Sequence, residues 1–256
     1  MIFNVGDIVS RNSYNNDVIF KIIKIENDKT YLKGVEVRLL ADAPTNDLKI
    51  CNDANINSFD VEITNNEDRN KEYFYLPGKI LHLDGDGEYL DSCLKFYKSK
   101  KVYAIGKKVK EENMSNQIKI LLNKYKPDIL VITGHDAYYK KKGNKEDINN
   151  YKNSKYYVDS VKIARSYEKS HEKLVIIAGA CQSDYEDLIK AGANYASSPK
   201  RINIHALDPA IIASCVAITE KNKEIDLIKL LNKTKYGADG MGGLIGNGLM
   251  YVGFPR

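Results

Sequence analysis

No stretch of the 256 residues approaches the roughly 18 consecutive apolar positions a membrane-spanning helix needs, so no membrane partner is expected. The opening MIFNVGDIVS lacks a basic segment followed by an apolar one. No secretory signal is therefore visible, and the chain is expected to act where it is made. Cysteine is scarce. Cys51, Cys93, Cys181 and Cys215 are widely spaced and form no CxxC pair, which argues against a disulfide framework or a zinc site. Four free thiols are expected, most of them small buried hydrophobes, with no metal and no cofactor. There is no internal repeat. The Gly-rich tail from Gly237 lacks the GxxxxGK[ST] order of a phosphate loop and reads as turns or as a flap near a cleft. Neither charge dominates: 39 Lys+Arg against 34 Asp+Glu give a net +5. That suits a solvated Lys-rich surface, and no nucleic-acid partner is expected.

What is present is ordinary globular protein, 43% hydrophobic and 29% charged. Residues 1–50 carry short runs rich in Val, Ile, Tyr and Thr: VGDIVSR, DVIFKIIKIEN and KTYLKGVEVRLLA. Turn residues bound them at Asn15-Asn16, Asn27-Asp28 and Gly34. Three to five such strands predict a small β-barrel, SH3-like in size, of the kind that binds peptides or holds a partner. Residues 51–75 are crowded with Asn, Asp and Glu and read as a linker, although FDVEI has strand character.

From residue 76 to 256 strand and helix patterns alternate. KILHLDG, KVYAIGKKV, DILVITG and KLVIIAG read as strands. EYLDSCLKFYKSK, MSNQIKILLNKYK (with Ser115 as N-cap), SKYYVDSVKIARSYEKS, DYEDLIKAG and DPAIIASCVAITEK read as helices. Near-continuous apolar strands between amphipathic helices predict an α/β domain with a mostly parallel, doubly wound sheet.

In open α/β sheets ligands bind beyond the carboxyl ends of the strands. Three sequences stand there: Asp84-Gly85-Asp86, Gly134-His135-Asp136 and Ala180-Cys181-Gln182-Ser183. Adjacent strands lie about 5 Å apart. If the third and fourth strands are neighbours, His135 and Cys181 come within reach of each other. Taken alone, Cys181 reads as a core cysteine and His135 as a hydrogen-bonded loop histidine. Together they form a thiol with a base. The thiolate is the nucleophile, an imidazole can take its proton and return it to the leaving amine, and the field of the helix after Cys181 favours an anion. His205 is the rival base. His82 reads as a packed histidine inside the first strand, and His171 as a solvated one. Asp84 and Asp86 form no full metal set and read as a turn and helix cap.

A non-enzymatic alternative fits the same pattern. The order of elements, and AGANYASSPK after the fourth helix, also look like a response-regulator receiver with Asp84 and Asp86 as its acidic cluster. A receiver, however, needs its acceptor Asp at the end of the third strand, where Thr133-Gly134-His135 stands, with Asp136 one residue further.

Strand-Gly-His followed by strand-Ala-Cys, with His135 and Cys181 46 positions apart, resembles the caspase-like cysteine peptidases. VGDIVSRNSYNNDVIFKI, PDILVITGHDAYYKKKG, YKNSKYYVDSVKIAR and LVIIAGACQSDYEDLIKAGANYASSPKRINIHALDP resemble one family across essentially the whole chain: the YabG family of sporulation-specific cysteine peptidases. GHDAY and GACQS are the most specific segments. The resemblance implies a caspase-like sheet with catalytic residues at His135 and Cys181. It further implies cleavage of spore-coat and germination-related precursor proteins after basic residues, chiefly Arg, with self-processing. The location implied is the mother-cell cytoplasm, in association with the spore coat. A coat protein that kept the fold and lost activity is the structural alternative, and the presence of both His135 and Cys181 argues against it. The caspase-like pattern has Gly directly after the His, whereas here Gly134 precedes it. The N–H groups of Asp136 and Cys181 are then the candidate oxyanion donors. A basic substrate side chain calls for a buried carboxylate: Asp208 is the first choice, with Asp184 and Asp136 as the others, each also readable as a cap or surface Asp.

Overall fold

The computed structural model describes residues 3–51, 61, 63 and 72–255. The chain divides into two units, residues 1–60 and 61–256. Of the segment read as a linker, residues 51, 61, 63 and 72–75 are described, so that Val61 and Ile63 of FDVEI are described while Phe59, Asp60 and Glu62 lie outside; Phe74 and Tyr75 begin a strand instead of continuing a linker.

The first unit is a five-stranded antiparallel sheet: β1 (Ile8–Arg11), β2 (Phe20–Glu26), β3 (Lys29–Gly34), β4 (Leu40–Pro44) and β5 (Leu48–Ile50). Its order is β4-β3-β2-β1-β5, with no pairing of β4 to β5 among the described residues. The five strands match the expectation, while the closure that defines a barrel is not shown. The run read as one strand, KTYLKGVEVRLLA, is split into β3 and β4. Val9, Phe20, Ile22, Leu32, Ala43 and Leu48 form its core. They alternate along β2 and point to one face, as period-2 patterning requires.

The second unit holds a six-stranded sheet of β7 (Ile80–Asp84), β8 (Ala104–Lys108), β9 (Ile129–Thr133), β10 (Val175–Ala178), β11 (Tyr195–Ser197) and β12 (Met241–Gly243). The order is β12-β11-β10-β9-β7-β8, parallel except for β12. A two-stranded ribbon, β6 (Phe74–Leu76) with β13 (Tyr251–Gly253), completes its strands. The helices are α1 (Gly87–Ser99), α2 (Met114–Tyr125), α3 (Ser154–Tyr167), α4 (Tyr185–Lys190), α5 (Asp208–Ile218), α6 (Leu227–Leu231) and α7 (Gly237–Gly240).

Alternation along the strands assigns the faces. Leu81, Leu83, Leu130, Ile132, Ile176 and Ala178 pack with α2, α3 and α4. The other face meets α1 and α5. On α2, Met114, Ile118, Leu121 and Leu122 recur at helical spacing and are buried. α5 is apolar all round, and every one of its residues is buried. Ser115 does not cap α2. It lies inside the helix, which starts one residue earlier after a 3-10 turn at Glu111–Asn113.

Three features went unread in the sequence. β11 has three residues, too few for a periodic signal. The Gly-rich tail contributes the antiparallel edge strand β12. β6 and β13 find each other from opposite ends of the unit. Within the parallel set the chain runs β7 to β8 on one side, then returns to β9 on the other. The strand order therefore reverses between β7 and β9, which stay parallel, and the crevice at their carboxyl ends is the expected ligand position.

Candidate active site

His135 follows β9 in that crevice, and its main chain is fixed by three side chains. Its N–H donates to Glu111 Oε1 at 2.9 Å. Its carbonyl accepts from Asn153 Nδ2 at 2.7 Å and from the Tyr157 hydroxyl at 2.9 Å. Gly134 makes room for this, because a Cβ there would stand 2.4 Å from Glu111 Oε1 and 2.8 Å from the Tyr157 hydroxyl. The imidazole Nε2 lies 3.0 Å from Asp86 Oδ2, with both side chains only about one-eighth exposed (12% and 13%). The Tyr89 ring stands beside it, centroids 5.7 Å apart. Asp86 also caps α1, Oδ1 accepting from the N–H groups of Glu88 and Tyr89. The cap reading of this Asp therefore holds, but its second oxygen has a further partner that the sequence did not reveal.

Cys181 follows β10, the parallel neighbour of β9. It is fully buried, and its Sγ accepts the Ile204 N–H at 3.3 Å. The strand-to-loop turn carries Gly179 at φ +105 and Gln182 at φ +58. α4 begins only at Tyr185 and its N-terminus is capped by the Asp184 carboxylate, so the helix field falls on Asp184 and not on Cys181. Two hydrogen bonds tie the His135 and Cys181 loops together: Tyr138 N–H to Gln182 Oε1 at 3.2 Å, and Ser183 Oγ to Asp136 Oδ2 at 2.9 Å.

Asp136, read for its N–H, uses its carboxylate as a knot. Oδ1 accepts from the N–H groups of Ala137 and Asn153, while Oδ2 accepts from the hydroxyls of Ser154 and Ser183. Burial pushes its pKa up, against donors that favour the charged form.

The two remaining carboxylates have internal partners. Asp184 is buried, and its Oδ1 meets Arg201 Nη2 at 3.3 Å. Arg201 also binds Glu186 and the Tyr151 hydroxyl. Asp208 is fully buried at the start of α5 and accepts the N–H groups of His205 and Lys235. His205 is buried in the same turn, with Nδ1 accepting the Leu207 N–H. The segment touching the Cys181 sulfur thus leads directly into this turn. His82 is buried as expected, its Nδ1 2.9 Å from the Tyr97 hydroxyl, with Asp84 beside it. His171 is half-buried, in place of the solvated histidine expected, and burial lowers its pKa. Among the described residues no group of three or more His, Cys, Asp or Glu could hold a metal ion, and no helix is long and apolar enough to cross a membrane.

Glu111, Asn153, Tyr157 and Gln182 were not singled out from the sequence. The only signal was that the last three lie inside the segments that carried the family resemblance.

The loops after β9 and β10 thus place His135 and Cys181 at the carboxyl ends of adjacent parallel strands, and comparison with known proteins gives the class. The chain belongs to the family described as YabG peptidase U57, whose model matches residues 4–69 and 59–255, and it is therefore a peptidase. It is 42% identical over 286 aligned residues, spanning 100% of this chain and 99% of the relative, to the "Sporulation-specific protease YabG" of Bacillus subtilis (strain 168). No solved structure matches the chain. Peptidase membership sets the receiver alternative aside.

Proposed function

We propose that the chain is a cysteine endopeptidase in which Cys181 is the nucleophile and His135 the general base. It cuts spore-coat and germination-related precursor proteins, and itself, after basic residues during sporulation. The observation that carries this reading is the pair of hydrogen bonds binding residues 134–138 to residues 181–183 at the carboxyl ends of adjacent parallel strands. The name of the Bacillus subtilis relative supports both the protease and the sporulation role.

In the proposed cycle the Cys181 S–H proton passes to His135. The thiolate attacks the scissile carbonyl carbon, the C–N bond breaks, and the amine leaves with the proton from His135. Water then cleaves the thioester, releasing the acid and restoring the thiol. The N–H groups of Asp136 and Cys181 receive the oxyanion. Asp208 reads the basic side chain: it lies four residues after Ile204, whose N–H meets the sulfur, although its oxygens also accept the His205 and Lys235 N–H groups. Asp184 ranks second because Arg201 already matches its charge. Residues 1–50 form a barrel that recruits substrates, and the mother cell and spore coat are the place of action. The sheet is of the caspase-like kind.

The test is incubation of purified protein with an Arg-containing coat protein, with the cut sites mapped by mass spectrometry. Cleavage after Arg is expected, lost in both Cys181→Ala and His135→Ala and retained in His205→Ala. Cleavage surviving in Cys181→Ala, or equal cutting after acidic and apolar residues, would contradict the proposal. A 1–50 deletion that cuts protein and short peptide at unchanged relative rates would remove the recruiting role.

A further inference from the structure

We infer that the outer edge of β8, with the cleft between it and α2, is a docking site for an acidic, extended segment of the protein substrate. This rests on the reading of the chain as an endopeptidase of precursor proteins, whose substrates arrive as polypeptide. β8 ends the six-stranded sheet, and among the described residues it pairs only with β7. The Tyr103 C=O accepts the Ile80 N–H at 3.0 Å, and the Val109 N–H donates to the Asp84 C=O at 2.9 Å. Main-chain groups of the odd-numbered residues therefore face β7. Alternation turns those of Ala104, Gly106 and Lys108 to the outer edge, where an added strand finds them.

The edge is cationic. Lys107, Lys108 and Lys110 flank an open cleft of about 480 Å³, together with the amides Asn113, Asn116 and Gln117. Lys107 leans to the α2 face, its Nζ 5.6 Å from the centroid of the Tyr125 ring. Lys108 leans to the other face, where its Cδ and Nζ would stand 3.3 and 3.5 Å from a Cβ on Gly87. Elsewhere exposed lysines have carboxylate partners, as Lys190 has Asp187, Lys223 has Glu220 and Lys229 has Asp226. Among the described residues Lys107, Lys108 and Lys110 make no ion pair. The adjacent Glu111 gives its Oε1 to the His135 N–H instead. Lysine on an edge strand discourages pairing with an apolar strand, because its charge would be desolvated. An acidic strand compensates that charge. Its side chains point alternately to the two faces and so meet Lys107 on one and Lys108 on the other. The three amides supply further donors for carboxylate oxygens.

The edge lies close to the crevice. Lys108 stands in register with Asp84, and Asp84 with Thr133, two residues before His135. Two strand spacings, about 10 Å, separate β8 from β9, and about three residues of extended chain cover that distance. A chain cut at the crevice thus brings acidic residues about three to six positions from the scissile bond onto β8.

The test is fluorescence anisotropy of full-length Cys181→Ala with two labelled peptides, each holding a central Arg between either Glu-rich or Gln-rich segments. The Glu-rich peptide is expected to bind about tenfold more tightly at low salt, since two or three exposed charge pairs form. That advantage should shrink severalfold at about 0.5 M NaCl. The double variant Lys108→Glu, Lys110→Glu should abolish it. Lys119→Glu makes the same kind of charge change on α2 outside the cleft and should keep it. Hydrogen exchange should show the amides of Gly106 and Lys108 protected by the Glu-rich peptide. Equal binding of the two peptides, or an undiminished preference in the double variant, overturns the inference. So does a short oligothymidylate that binds as tightly as the Glu-rich peptide with the same lysine dependence. None of these results touches cleavage after Arg or its loss in Cys181→Ala, so the docking site and the catalytic reading fail separately.

Discussion

Replacing Asp136 by Ala tests whether its side chain is structural. Four donors reach the carboxylate: the Ala137 N–H at 2.9 Å, the Asn153 N–H at 2.7 Å, the Ser154 hydroxyl at 2.5 Å and the Ser183 hydroxyl at 2.9 Å. A hydrogen bond to a charged group contributes about 1.5–3 kcal/mol, so the gross loss is on the order of 6–12 kcal/mol. Burying the carboxylate, which is 4% exposed, offsets several kcal/mol of that. The net expectation for Asp136→Ala is a destabilisation of about 3–5 kcal/mol. For a unit of this size that lowers Tm by roughly 6–20 °C. Asp136→Asn keeps Oδ1 for the two backbone N–H groups, and the two serine hydroxyls can rotate to accept from Nδ2. Its cost is about 1–2 kcal/mol. Calorimetric unfolding of the full chain measures both. A Tm drop below roughly 3 °C in the Ala variant, or equal damage in Ala and Asn, would refute a knot built on acceptor geometry.

Two further outcomes follow from burial and backbone geometry. Burial pushes the Cys215 thiol up to about 11 and the Tyr195 phenol up to about 12. Both groups stay protonated in the folded chain at pH values where the unfolded chain ionises them. The stability they contribute is complete below the unfolded values, near pH 9 for the thiol and 10 for the phenol. It is lost as pH rises through the folded values, at about 1.4 kcal/mol per pH unit per group. Urea midpoints measured from pH 8 to 11 should fall accordingly, and a flat profile would contradict the assignment. At pH 7.5 iodoacetamide should spare Cys215 until the chain unfolds. Gly179 has φ +105, and a Cβ there would meet Leu188 Cδ1 at 2.9 Å and the Cβ atoms of Ser197 and Ser183 at 3.2 and 3.3 Å. Gly179→Ala should cost about 1–3 kcal/mol and lower kcat beyond what the loss of folded protein explains, because Cys181 lies two residues on. Normal turnover per folded molecule would show that this turn does not position the thiol.

Periodicity carried the elements it could carry. The apolar runs at Ile129–Thr133 and Val175–Ala178, and the spaced apolar residues of Met114–Tyr125, declared strand and helix because burial on both sheet faces or one helix face imposes that pattern. β12 escaped because Met-Gly-Gly has no strand propensity. It is a strand because glycine lets it lie against tyrosines, a Cβ at Gly242 coming within 2.7 Å of the Tyr185 hydroxyl. Likewise, the rule that ligands bind beyond the carboxyl ends of parallel strands pointed to His135 and Cys181 without coordinates, whereas Asp86 at the same edge was legible only as a turn and cap.

By itself, then, the sequence determined which residues are available at the sheet's working edge, since chain order and strand length settle that locally. Only the tertiary structure decided their partners: Asp86 with His135 across 49 residues, Ser183 with Asp136 across 47, and Arg201 with Asp184 across 17. Those pairings depend on strand order and on the register of neighbouring loops to within an ångström or so. A hydrogen bond is lost over that distance, whereas a hydrophobic pattern tolerates it.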